Sequence, residues 1–251
     1  MPHPLFSAGI IRTVIFAAVL GLAACSLREY TEDPYFLIYA GSEADADGVI
    51  QLEKAALELG YPVKKISNLG NLSDQLPGAA AFAIGGTAGN TGLILDPLYD
   101  VTDDLSEWIQ NGGRYLGICG GAYVASRGSQ WDDGYEEGLA LVDAPSYTFD
   151  PDYSDSQIVP ITWQGSKRPV YYLNGPAFNR ADLPNAEVIA TYSDNRVAIF
   201  MQSSGSGKIL LCGPHPEADE SWLDDDPEPR NASSWTSTWE LFIDLLETWI
   251  Q

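Results

Sequence analysis

The 251-residue chain has two histidines, three cysteines and two methionines, and only 13 basic residues against 35 acidic ones. Each shortage excludes something. A formal net charge of −22 argues against nucleic acid as a partner, because phosphates would be repelled. It argues equally against electrostatic attraction to an anionic membrane surface. The acid is read first as a solubility device, with a cationic ligand or divalent ions as the alternative. Three cysteines cannot build a disulfide framework. Internal repeats and low-complexity tracts are lacking. Apolar residues, at 45%, suffice for a full core, so disorder is not the default. The length suits one domain of ordinary size or two small ones.

A long apolar run is also lacking. Residues 13–24, from Thr13 to Ala24, are uncharged and mostly apolar but span twelve positions, short of the roughly 20 a bilayer requires. Preceded by Arg12, the run suits the apolar region of a signal peptide. It ends Leu22-Ala23-Ala24-Cys25, which resembles a bacterial lipobox. The expectation is a signal peptide over 1–24, a lipidated Cys25, a polar tether over 25–34 and a domain over 35–251. Plain secretory cleavage after Ala24 is the alternative. Ser26 after the cysteine implies sorting to the outer membrane, facing the periplasm, with the N-terminal lipid as the membrane contact.

Within the domain, strand and helix alternate. Residues 35–40 form an apolar run, and Asp45 to Leu59 carry helical spacing at Val49, Leu52, Ala56 and Leu59, closed by Gly60. Strands are expected over 61–66, 78–84 and 114–118, with a helix over 100–111 before the last. This alternation predicts an α/β fold: a doubly wound, mostly parallel sheet with flanking helices. From about 130 to 205 the pattern becomes short β-rich runs, at 157–162, 170–173, 187–192 and 196–202, read as an antiparallel extension. A buried-type strand over 208–212 follows. The chain closes with an amphipathic helix over 234–250, its face formed by Trp235, Trp239, Phe242, Leu246 and Trp249, with a capping box at Ser237 to Glu240.

Two strand ends carry the chemistry. Gly117-Ile118-Cys119-Gly120-Gly121 places a thiol at a tight strand-to-helix turn, where flanking glycines relieve crowding; this is the pattern of a nucleophile elbow. A helix starting there favours thiolate and can hold an oxyanion. A thiol nucleophile needs a base. With His3 in the signal peptide, His215 is the one histidine of the mature chain, just past a buried strand and followed by Pro216-Glu217. The loop Gly85 to Gly92 follows another strand but lacks the Gly-Lys-Ser/Thr ending of a P-loop. It is read as a substrate-side loop facing the elbow. Asp224-Asp225-Asp226 lacks the spacing of a calcium loop and is read as solvated acid. Trp131 and Trp222, in loops, either line a ligand site or pack. No metal site and no cofactor are expected.

Gly117-Ile118-Cys119-Gly120-Gly121 with His215-Pro216-Glu217 resembles the Cys–His–Glu triad of class I glutamine amidotransferases, whose domain is flavodoxin-like. The order, the β region between and the final helix all match. The resemblance implies Cys119 as nucleophile, His215 as base and Glu217 as its orienter. It also implies an oxyanion hole from backbone N–H groups, with Gly120 and the Gly85-Gly86 turn as candidates. The position that binds glutamine in that family is Tyr123 here. The phrase from Cys119 to Ser126 is more similar to a divergent branch, the domain at the N-terminus of biotin–protein ligases. Tyr171 to Phe178, an Asn-Gly turn between aromatics, resembles that branch's second signature. No biotin-ligase catalytic domain is present, so biotinylation is not implied.

Three functional readings follow. The first is a cysteine-dependent amidohydrolase acting on a small amide or peptide of the cell envelope. The second is a non-catalytic binding module that retains the fold, favoured by Tyr123. The third is a redox pairing of Cys119 with Cys212. A homodimer is left open.

Overall fold

The computed structural model describes residues 33–88, 90–131, 134–150, 155–223 and 235–251. The expected signal peptide, Cys25 with most of its tether, and Asp224 to Asp226 lie outside the described residues.

The first half of the domain is built as alternation dictates. Strands β1 (Tyr35–Tyr39), β2 (Val63–Ile66), β3 (Ala79–Ile84) and β4 (Arg114–Ile118) are joined through helices α1 (Ala46–Glu58), α2 (Leu72–Gln75), α3 (Gly92–Tyr99) and α4 (Thr102–Gln110). Helix α5 (Gly120–Ala125) follows β4 after a single residue, Cys119. Then come β5 (Gly128–Trp131), β6 (Gly134–Glu137), β7 (Pro145–Thr148), β8 (Gln157–Trp163), β9 (Ser166–Tyr172), β10 (Pro176–Phe178), β11 (Glu187–Thr191), β12 (Val197–Ser204) and β13 (Gly207–Cys212). Helix α6 (Trp239–Ile250) ends the chain.

The sheet runs β2-β1-β3-β4-β13-β12-β10-β7-β5-β6. Its first five strands are parallel, and β13 reaches its place beside β4 only after the whole β extension has been made. From β12 outward most pairings are antiparallel, with β5 and β7 parallel.

The parallel strands read as near-continuous apolar runs because both faces are covered. On β1, Leu37 and Tyr39 join one core cluster and Phe36 and Ile38 the other. On β3, Phe82 and Ile84 alternate with Ala81 and Ala83 in the same way. Helices α3, α4 and α5 cover the first face through Leu98, Leu105 and Val124. Helices α1 and α6 cover the second through Leu52, Phe242 and Trp249. Each such side chain, fully removed from water, stabilises the fold by about 1.5–3 kcal/mol.

The helix expected over 100–111 forms as α4, and that over 45–59 as α1, with Asp45 capping the Gly48 N–H at 2.7 Å. One helix has no counterpart in the sequence reading, and one expectation fails. Residues 92–99, directly after the glycine-rich loop, are helix α3 despite Pro97. The last helix starts at Trp239, so Trp235 lies outside it and packs against Tyr171, ring centroids 6.1 Å apart. The reason is local. The Ser237 hydroxyl donates to the Ala218 carbonyl at 3.0 Å and the Thr238 hydroxyl to the Pro216 carbonyl at 3.0 Å. The expected capping box is therefore replaced by ties to the loop carrying His215, with Ser237 Oγ also accepting from the Trp239 N–H at 3.2 Å. Among the described residues no helix is long and apolar enough to cross a membrane.

Candidate active site

Cys119 is the one residue between β4 and α5, and its backbone sits at φ 49°, ψ −105°. A non-glycine residue there is strained by roughly 1–3 kcal/mol, and such strain persists only where the surroundings enforce it. They do so here. The Cys119 N–H donates to the Cys212 carbonyl at 2.8 Å and the Gly121 N–H to the Gly85 carbonyl at 3.1 Å. The Tyr115 hydroxyl holds the Gly121 carbonyl at 2.8 Å. A Cβ on Gly121 would overlap the Ile84 carbonyl, and one on Gly120 would overlap Thr87. The two glycines after the thiol are thus required by how closely α5 approaches the end of β3 and the loop that follows it. Gly121 spends its N–H on Gly85, while Gly120, at the first helical position, has no intrahelical acceptor for its own.

His215 lies just beyond β13, the strand beside β4. Its N–H donates to the Tyr171 carbonyl at 2.9 Å, and its Nδ1 is 2.8 Å from Glu217 Oε1. Both residues are buried, Glu217 completely. Burial opposes a charged imidazole, but the Glu217 carboxylate, aided by Cys119 through charge and hydrogen bonding, outweighs it and holds His215 well above its ordinary pKa. The second carboxylate oxygen of Glu217 has no partner among the described residues. Gly86 lies against the ring, where an added Cβ would stand 2.9 Å from Cε1. The thiol of Cys119 donates to the Leu173 carbonyl at 3.4 Å.

The expected residues therefore meet. Cys119, Gly120, Gly86, Tyr123 and His215 line one cavity of about 1280 Å³, with Glu217 beneath His215 and Gly85 behind the elbow. Trp131 and Trp222 both line it too. Tyr123 is fixed rather than free: its hydroxyl donates to the Asn174 carbonyl at 2.9 Å and lies 3.0 Å from Thr148 Oγ1. Its ring packs on Trp131, centroids 4.8 Å apart. Trp222 and Tyr171 flank the imidazole at 5.1 and 5.9 Å between centroids.

Cys212 does not pair with Cys119; both are free. Burial pushes the Cys212 thiol well up, and the Glu217 charge adds to that, so the third reading loses its structural basis. Among the described residues no group of three His, Cys, Asp or Glu is arranged to hold a metal.

Sequence reasoning missed the acids of the cavity. Asp45, Asp47 and Glu136 line it. Asp45 was legible as a helix cap, and its place just after a strand-end glycine was the available signal. Glu136 carried none, because β6 reaches the site only through the order of the extension.

Residues 37–154 match the family model described as biotin-protein ligase, N terminal. No curated protein matches the chain. Among solved structures, a glutamine amidotransferase superimposes with a TM-score of 0.57 at 17% identity, covering 72% of this chain and 90% of that one. A glutamine amidotransferase from Thermotoga maritima gives 0.57 at 15%, covering 88% and 99%. A putative GMP synthase component from Thermoplasma acidophilum gives 0.51 at 16%, covering 74% and 86%. The five parallel strands, the elbow at the end of β4 and these likenesses agree on the fold: the chain is glutamine amidotransferase-like in fold, and its residues 37–154 resemble the N-terminal domain of biotin-protein ligases.

Proposed function

We propose that the domain is a cysteine-dependent amidohydrolase of the cell envelope, anchored by a lipid on Cys25. The observation that carries the catalytic reading is the strained backbone of Cys119 (φ 49°) in the same cavity as a buried His215–Glu217 pair. Strain of this kind, facing a cavity, points from geometry to function.

In this reading His215 takes the thiol proton and Cys119 Sγ attacks the amide carbonyl carbon. The oxyanion is met by the backbone N–H of Gly120, with Gly86 as the second candidate donor. The imidazolium, kept charged by Glu217, gives its proton to the leaving amine as the C–N bond breaks. Water, deprotonated by His215, then cleaves the thioester and returns the thiol. Glu217 orients the ring through Nδ1 and is not itself a proton donor.

Alkylation by iodoacetamide across pH tests this. Selective modification of Cys119 at low pH, lost in His215→Ala, is the expected result. Ordinary thiol reactivity unchanged by that substitution would instead favour a ligand-binding module, a reading supported by the way Tyr123 is tied to Thr148 and Asn174. Anchoring is tested separately: labelled palmitate should enter the wild-type protein and not Cys25→Ser.

A further inference from the structure

The cavity has a charge character that the catalytic residues do not explain. Its ionisable lining, among the described residues, comprises Asp45, Asp47 and Glu136 together with Cys119, His215 and the tyrosines; it includes no lysine and no arginine. His215 is the one cationic group, and its charge is already matched by Glu217 at 2.8 Å. What faces an entering molecule is thus carboxylate charge from two separate elements, carried by Asp45 and Glu136. Asp45 and Asp47 stand at the start of α1. Glu136, on β6, is held by the Thr91 hydroxyl at 2.8 Å. Aromatic side chains share this lining, Trp131 and Tyr135 on the hairpin that carries Glu136 and Trp222 beside His215. Carboxylates beside aromatic rings in a cleft attract ammonium groups, by charge and by the ring faces.

We propose that this site takes amides bearing a positively charged amine and rejects those bearing a free carboxylate. This rests on the amidohydrolase reading for the reaction itself, but not for the charge preference. A free α-amino acid amide such as glutamine would find partners for its ammonium and none for its carboxylate. A peptide amide, diamine conjugate or amino-sugar amide, with ammonium and no acid, fits the lining on both counts. The cavity is large enough for several such residues, at about 1280 Å³.

The test measures charge preference at Cys119 directly. Two thiol reagents of similar size are used, 2-(trimethylammonium)ethyl methanethiosulfonate and its 2-sulfonatoethyl analogue. Each transfers its thioalkyl group to the thiolate, forming a mixed disulfide and releasing methanesulfinate. Rates are normalised to those of 2-mercaptoethanol, and Cys119→Ser serves as the blank for Cys212. A cation preference of about tenfold or more is expected at low salt. Asp45→Asn, which remains a good helix cap, combined with Glu136→Gln, should reduce it at least about threefold. If the double variant does not fold, Glu136→Gln alone supplies the comparison. A normalised ratio near one in the wild type overturns the proposal. So does a ratio unmoved by the variants, which would assign the bias to the net charge of the whole chain. Hydrolysis of cationic, neutral and anionic amides is assayed in parallel. Cation preference without hydrolysis supports this inference and sinks the hydrolase reading; hydrolysis without charge preference does the opposite.

Discussion

The parallel half of the sheet and its β extension contribute unlike things to the same cavity. Strands β3, β4 and β13 end just before Gly86, Cys119 and His215, so the candidate reacting groups come from strand ends held by a core on both faces. The extension supplies walls: Tyr171, Leu173 and Asn174 around β9, Trp131 and Glu136 on the β5–β6 hairpin. A scaffold of crossovers fixes where chemistry can occur. Hairpins, which tolerate change, decide what can reach it.

The sharpest way to break this division is Cys119→Ala. Amide hydrolysis should fall at least about 10³-fold, measured as kcat/KM, while the urea midpoint stays nearly level, because alanine keeps the Cβ and with it the backbone strain. A stable variant with activity intact would remove the parallel half from the chemistry altogether.

Next come the two seams. Gly121→Ala forces a Cβ onto the Ile84 carbonyl, within the parallel half, and Gly175→Ala forces one onto the Gly213 carbonyl, where the extension meets β13. Each should lose about 3 kcal/mol in urea unfolding, since backbone cannot yield as a side chain can. Gly60→Ala, with φ +83° and open space around it, should lose only about 1 kcal/mol. Equal losses at all three would mean that close approach is not what the elbow glycines serve.

The pH dependence of stability separates the halves further. The folded state holds His215 well above its ordinary value, burial opposing and Glu217 and Cys119 prevailing. A group so raised contributes stability that is complete below its unfolded pKa, about 6.5, and is lost as pH rises through the folded value. The urea midpoint should therefore decline with pH above about 6.5, and Glu217→Gln should flatten that decline. The smallest expected effect is Tyr123→Phe, which removes the hydroxyl joining α5 to Thr148 and Asn174. It should lose about 1 kcal/mol in the same unfolding assay, and a null result would show the walls independent of the elbow.

The sequence was legible where one element sufficed to read it. The apolar runs of β1, β3 and β4 needed no partner to be recognised, nor did the helical spacing from Asp45 to Leu59. It misled where tertiary contacts overrode local pattern. Helix α3 carries Pro97, which locally argues against a helix, yet Ile94, Leu95 and Leu98 are buried against the first core face. Trp235 shares the period of α6 but is drawn to Tyr171, because Ser237 and Thr238 spend their hydroxyls on the loop after β13. Strands β5, β6, β7 and β10 are only three or four residues long, too short for a period of two to declare itself.

By itself, the sequence determined the alternating α/β frame and the candidate elbow with its one candidate histidine, because three cysteines and two histidines leave few arrangements. Only the tertiary structure decided that Cys212 and Cys119 do not pair, that Tyr123 is tethered, and that Asp45, Asp47 and Glu136 line the cavity that holds the thiol. Those facts depend on which strand lies beside which, and strand order in a sheet is set by packing across the whole core rather than by any local run of residues.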